Sequence, residues 1–124
     1  NMDFEFTLDE YDRPVAEFST GFEALGRWIT EELAADQDAI DGLLDILQQV
    51  SDKRVASRQL FAEDMQLNIN ITEVEVIALA LGENFDDEKL PENTQLYDDE
   101  SHAICGLPDF LQSVLAWREF ALRQ

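Results

Sequence analysis

The sequence predicts an α+β fold: an antiparallel sheet of about four strands, in the order β-β-α-α-β-β-α, with amphipathic helices packed on one face. Three observations point there. Apolar and polar residues alternate at the N-terminus and again over residues 65–71, which is the period of a half-buried strand. Between those stretches apolar residues recur at helical spacing from Phe22 to Val50, and a second helical stripe closes the chain. The connections between consecutive strands are short, which favours antiparallel pairing over crossovers.

Met2, Phe4, Phe6 and Leu8 alternate with Asp3, Glu5 and Thr7 to make the first strand, and residues 9–14 turn it. Val15 to Phe18 return as its hairpin partner, across a loop longer than a tight two-residue turn. Thr20 and Glu23 have the spacing of a capping box, so a helix is expected from there. Its stripe is Phe22, Leu25, Ile29 and Leu33, followed by Ile40, Leu43, Leu44, Leu47 and Val50. The register slips at Asp36, and a single helix of about 30 residues is long for such a domain, which favours two segments with Asp36 capping the second.

Met65, Leu67, Ile69 and Ile71 alternate with Gln66, Asn68 and Asn70, the clearest strand of the chain. Thr72 and Glu73 reverse it. Val74 to Leu81 are apolar except at Glu75, as in an inner strand covered on both faces or one in a subunit contact. Residues 83–100 carry eight acids against Lys89 alone and read as an acidic loop. Gly106, Leu107 and Pro108 open a last helix, with Asp109 favourably placed against its dipole and a stripe of Phe110/Leu111, Val114/Leu115, Arg118 at the margin and Ala121/Leu122.

The 124 residues hold 28 acidic and 8 basic side chains, a formal charge of −20. A surface so negative repels nucleic-acid phosphates and anionic lipid, which require clustered Lys and Arg. It favours basic protein surfaces, toward which it steers association in a salt-dependent way. Apolar residues make up 45% of the chain, so the acids decorate a core rather than replace one. Asn1 reads as a cloning remnant, leaving residues 2–124 as one domain. No apolar run approaches the ~18 residues of a membrane span, no secretory pattern is present, and the single Cys105 agrees with a reducing compartment, so a soluble cytoplasmic protein is expected.

Several segments carry a family resemblance. They are Met2 to Phe6, the run from Gly21 to Trp28 continuing into Glu31 and Glu32, and above all Tyr97 to Ser101, Cys105 and Gly106, Asp109 to Gln112, Arg118 and Phe120. Together they resemble the YacL family of small uncharacterised proteobacterial proteins. The stretch from Gly82 to Thr94 is longer than that family's, and His102 and Pro108 depart from its pattern. The resemblance implies a bacterial cytoplasm and no catalytic residues.

Potential ligands crowd together at Asp98, Asp99, Glu100, His102 and Cys105, but a structural zinc site wants four N or S ligands and the chain holds one His and one Cys. The preferred reading is a capped turn with Cys105 packed inward. A Cys105–His102 dyad lacks an orienting third group and an oxyanion hole. Residues 83–100 lack the ligand order of an EF-hand. Asn70-Ile71-Thr72 is read as strand rather than as a glycan site, Lys53, Arg54 and Arg58 as compensation for a helix C-terminus, and Trp28 and Trp117 as core.

No cofactor, metal site or enzymatic activity is expected. The partner-facing surface is assigned to Asp36, Asp38, Asp41 and Asp45 on one helix face, with Asp86, Asp87, Glu88, Asp98, Asp99 and Glu100 in the acidic loop. The expected role is that of a protein-binding or adaptor module, monomer or homodimer, docking a basic surface of a larger assembly such as the transcription or translation machinery. Two alternatives stand beside it: a DNA mimic inhibiting a nucleic-acid-binding protein, and charge that serves solubility only.

Overall fold

The computed structural model describes residues 2–78 and 101–123. Its elements are β1 (Phe4–Leu8), β2 (Pro14–Phe18), α1 (Glu23–Trp28) with a π-helical turn (Ile29–Leu33), α2 (Gln37–Ser51), β3 (Ser57–Phe61), β4 (Met65–Asn70), β5 (Glu73–Ala78), β6 (His102–Gly106) and α3 (Leu107–Ala121). The fold is α+β with a four-stranded antiparallel sheet, but not the four strands the alternation suggests. β1 and β2 pair only with each other, and the larger sheet is the meander β3-β4-β5-β6. Helices α1 and α3 lie between the hairpin and that sheet, while α2 packs on α3, β3 and β4.

Asp9 closes the β1–β2 loop, its carboxylate accepting from the Tyr11 and Arg13 amides at 2.8 and 2.9 Å. The Thr20–Glu23 capping box does not form. Phe22 occupies the cap position without a side-chain bond, and Glu23 Oε1 accepts instead from the Gly21 amide at 2.9 Å. The break at Asp36 is present: Ala34 takes a left-handed φ of 47°, and Asp36 caps α2 by accepting from the Ala39 amide at 3.2 Å.

The core stripes are Leu25, Ile29 and Leu33, then Ile40, Leu43, Leu47 and Val50, and Phe110, Val114, Trp117 and Ala121 on α3. Leu115, expected inside, is exposed, because the buried face of α3 runs through Phe110, Ser113, Val114, Trp117 and Ala121 and Leu115 points away from it. The reversal at Thr72 is an Asn70 turn, whose side-chain oxygen accepts from the Thr72 amide, the Thr72 hydroxyl and the Glu73 amide at 2.8–2.9 Å. β5 is an inner strand with Val74 and Val76 buried under the helices. Its other face carries half-buried Glu75 and Ile77, so the described helices cover one face of it. Leu79 to Leu81 lie outside the described residues.

Candidate functional site

The helix-borne acids divide by what they already hold. Asp36 is spent on capping α2. Asp41 receives the Arg118 guanidinium in two hydrogen bonds, Nε to Oδ1 at 2.6 Å and Nη2 to Oδ2 at 3.3 Å, which tie α2 to α3. That bond holds the Asp41 carboxyl below the usual carboxylate range. Asp45 accepts from Gln49 Nε2 at 2.9 Å. Asp38 alone of the four makes no side-chain hydrogen bond among the described residues. Asp86, Asp87, Glu88, Asp98, Asp99 and Glu100 lie outside the described residues.

His102 and Cys105 do not meet. They belong to β6, three residues apart, and strand alternation sends them to opposite faces. The His102 ring reaches Glu75 Oε2 at 2.6 Å on the outer face, where Asn68 Nδ2 also donates to Glu75 Oε1 at 3.2 Å. Burial raises the Glu75 carboxyl, but those two hydrogen bonds outweigh it and hold the group below its ordinary value. Cys105 is buried, and desolvation together with Asp109 pushes its thiol up to about 12, so it is not a thiolate at neutral pH. The cationic cluster is also split: Lys53 (φ 64°) and Arg54 follow the end of α2, whereas Arg58 belongs to β3.

What sequence reasoning missed is a groove. Between α2 and the edge strand β3, Trp28, Leu33, Ala39, Leu43, Ile46 and Leu60 line an apolar hollow of about 310 Å³, with Phe61 at its lip and 67% exposed. Glu32 and Asp38 stand on its rim. Behind Glu32, carboxylate oxygens of Glu31, Glu32 and Asp64 come within 4.8 Å of one another. Arg27 is the cation among them, with Nη2 at 2.6 Å from Asp64 and Nε at 3.3 Å from Glu31. Glu32 receives no ion pair among the described residues; burial, then Asp64 and Glu31, push its carboxyl above the usual range. The ionised Glu32 therefore weakens the fold at neutral pH, since a raised folded pKa gives stability that is present below the unfolded pKa and lost as pH rises through the folded one.

A profile of the family described as Uncharacterised protein family (UPF0231) matches residues 2–121. A UPF0231 protein of Shewanella putrefaciens is 38% identical over 121 residues, covering 96% of both chains. One from Shewanella baltica is 39% identical over 122 residues with the same coverage, and one from Serratia proteamaculans 34% over 122 residues, covering 98% of this chain and 99% of the relative. No solved structure matches. No helix of the described residues is long and apolar enough to cross a membrane.

Proposed function

The chain belongs to the UPF0231 family, the same family its two ends resemble, and we propose that it is a protein-binding module that holds a basic, apolar-anchored segment of a larger partner in the groove between α2 and β3. It acts by binding rather than by catalysis, and a cytoplasmic assembly such as the transcription or translation machinery supplies surfaces of the required charge. The observation that carries the reading is the coupling of an apolar floor to an unneutralised acidic rim. Apolar side chains on the floor provide affinity, and Glu32 and Asp38 select Lys or Arg beside them. A cation placed at Glu32 removes the repulsion it feels from Glu31 and Asp64.

This favours an adaptor over a DNA mimic. A mimic presents rows of free carboxylates in place of phosphates, whereas Asp36, Asp41 and Asp45 of α2 already have partners within the chain.

The test is capture from a nuclease-treated bacterial lysate at low and high salt, comparing the wild type with Glu32→Lys/Asp38→Lys. Asp41 is left alone, because reversing it sets a cation against Arg118. The expected result is a partner of high pI, retained at low salt, lost with the reversed rim and undisturbed by added duplex DNA. Capture unaffected by the reversal, or displaced by DNA, sinks the reading.

A further inference from the structure

Among the described residues, the groove is open on one side because the sheet ends there. β3 is the outermost strand of the meander, and its residues are exposed apart from half-buried Leu60. In an antiparallel ladder, residues alternate between exchanging hydrogen bonds with the neighbour and turning their backbone groups away. The Ala62 amide donates to the Met65 carbonyl at 2.8 Å, which sets the phase. Leu60 and Arg58, two and four residues back, then pair with Leu67 and Ile69, while Ser57, Gln59 and Phe61 turn their N–H and C=O groups outward to the edge that no described strand occupies. Side-chain parity is equally definite. Leu60 points toward the α2 layer, and Gln59 and Phe61 share the opposite face with Asn68 and Gln66.

We infer that the partner segment is captured as an added β-strand on the edge of β3, with its inward-facing side chains entering the groove under α2, apolar along its length and basic at the Phe61 end, beside Glu32 and Asp38. This inference rests on the proposed function above and adds the conformation of the ligand. The edge offers the outward groups of Gln59 and Phe61 as a backbone template, and Ala39, Leu43, Ile46 and Leu60 receive the side chains that face inward. Charge also orders the site along the strand. Glu63 and Asp64 follow Phe61 in the β3–β4 turn, whereas Arg58 stands near the other end, so the cationic end of the segment lies beside Phe61. A second copy of the chain is a poor occupant, because pairing two β3 edges brings together two bodies of charge −20 and their acidic rims.

The test uses capped synthetic peptides of about eight residues, the length of an ordinary strand. One alternates Val with Ser and carries two consecutive Lys at each end, so that one Lys at each end faces the groove (the Lys–Val peptide); one has Glu in place of those Lys (the Glu–Val peptide), one carries Lys and Leu at helical spacing, and one is the Lys–Val peptide N-methylated at alternate residues. Binding is followed by fluorescence anisotropy, and amide hydrogen exchange of the full-length protein is read by NMR. The expected result is salt-weakened binding of the Lys–Val peptide and loss of binding by the Glu–Val and N-methylated peptides. Exchange at the Gln59 and Phe61 amides slows by about tenfold or more, while Arg58 and Leu60, already bonded to β4, change little. Equal binding of the N-methylated peptide, a preference for the helical one, or unchanged exchange at Gln59 and Phe61 overturns strand addition and leaves the basic-segment reading standing. Failure of every cationic peptide overturns both, and concentration-dependent protection of β3 in the free protein assigns the edge to a second copy instead.

Discussion

Trp117→Ala should remove about 3–5 kcal/mol of stability, a large share of the ~5–15 kcal/mol available to a domain of this size. Trp117 is fully buried and joins three parts of the chain. Its ring meets Phe6 of the hairpin edge-on at 5.2 Å and Phe120 of α3 at 6.2 Å. Its indole N–H donates to the Ala34 carbonyl at 2.8 Å, at the bend between the π-helical turn and α2. Truncation to Ala loses the ring burial, leaves a cavity where hairpin, bend and helix converge, and strands that carbonyl. Trp117→Phe keeps most of the apolar burial and gives up chiefly the hydrogen bond, worth about 1 kcal/mol. Thermal unfolding followed by circular dichroism separates the two, with the Ala variant melting on the order of 10–20 °C below the wild type. Equal and small losses would show that the three parts do not depend on this ring.

The second large effect is expected at Gly26. A Cβ there would lie 2.7 Å from the Ala16 carbonyl oxygen and 2.9 Å from Phe18 Cδ1, so β2 must move to admit it. The same stretch of β2 is held to the helical segment by the Ala16 amide donating to Thr30 Oγ1 at 2.8 Å, a bond that displacement would break. Gly26→Ala is therefore expected to destabilise by about 1–3 kcal/mol, even though Ala is the better helix former by about 1 kcal/mol. Gly42→Ala has the opposite sign. No atom of the described residues lies within 4 Å of a Cβ at Gly42, so only the helix-propensity gain remains. Denaturant titration of both variants checks the pair, and a stabilised Gly26→Ala would contradict the close approach of α1 to the hairpin.

Elements with one face in the core were legible in the sequence. The alternation of β1 and β4 and the stripes of α2 and α3 each report burial on one side, and Asp36 announced its own helix through its capping chemistry. β3 was not legible because an edge strand directs only Leu60 at the core, leaving Ser57, Arg58, Gln59 and Phe61 without a periodic signal. β6 hid for a related reason: its inward residues are the small Ala103 and Cys105, while its bulkiest aliphatic residue, Ile104, faces out. Missing these two strands is what made one sheet of β1, β2, β4 and β5 look sufficient.

The acidic face of α2 was visible in the sequence, but its commitments were not. Arg118 reaches Asp41 across 77 residues, and no local pattern announces such a pair. The groove was invisible for a different reason. Trp28, Leu33 and Leu43 read correctly as core, yet among the described residues the sheet stops at β3 before it covers them completely, and that follows from topology rather than periodicity. The one hint was Phe61, a large apolar residue beside Glu63 and Asp64 in a stretch with no stripe of its own.

Gly42 gives the most direct measurement of whether this groove binds a basic segment, because it lines the hollow and a Cβ there meets no described atom within 4 Å. Gly42→Trp directs a bulky ring into the space the segment needs, from a Cβ that no described atom approaches within 4 Å. The affinity of the Lys–Val peptide should fall by about tenfold or more, a change of ~1.4 kcal/mol, while the melting temperature stays at or above that of the wild type. A variant that folds as well and binds the peptide as tightly as the wild type would contradict the account.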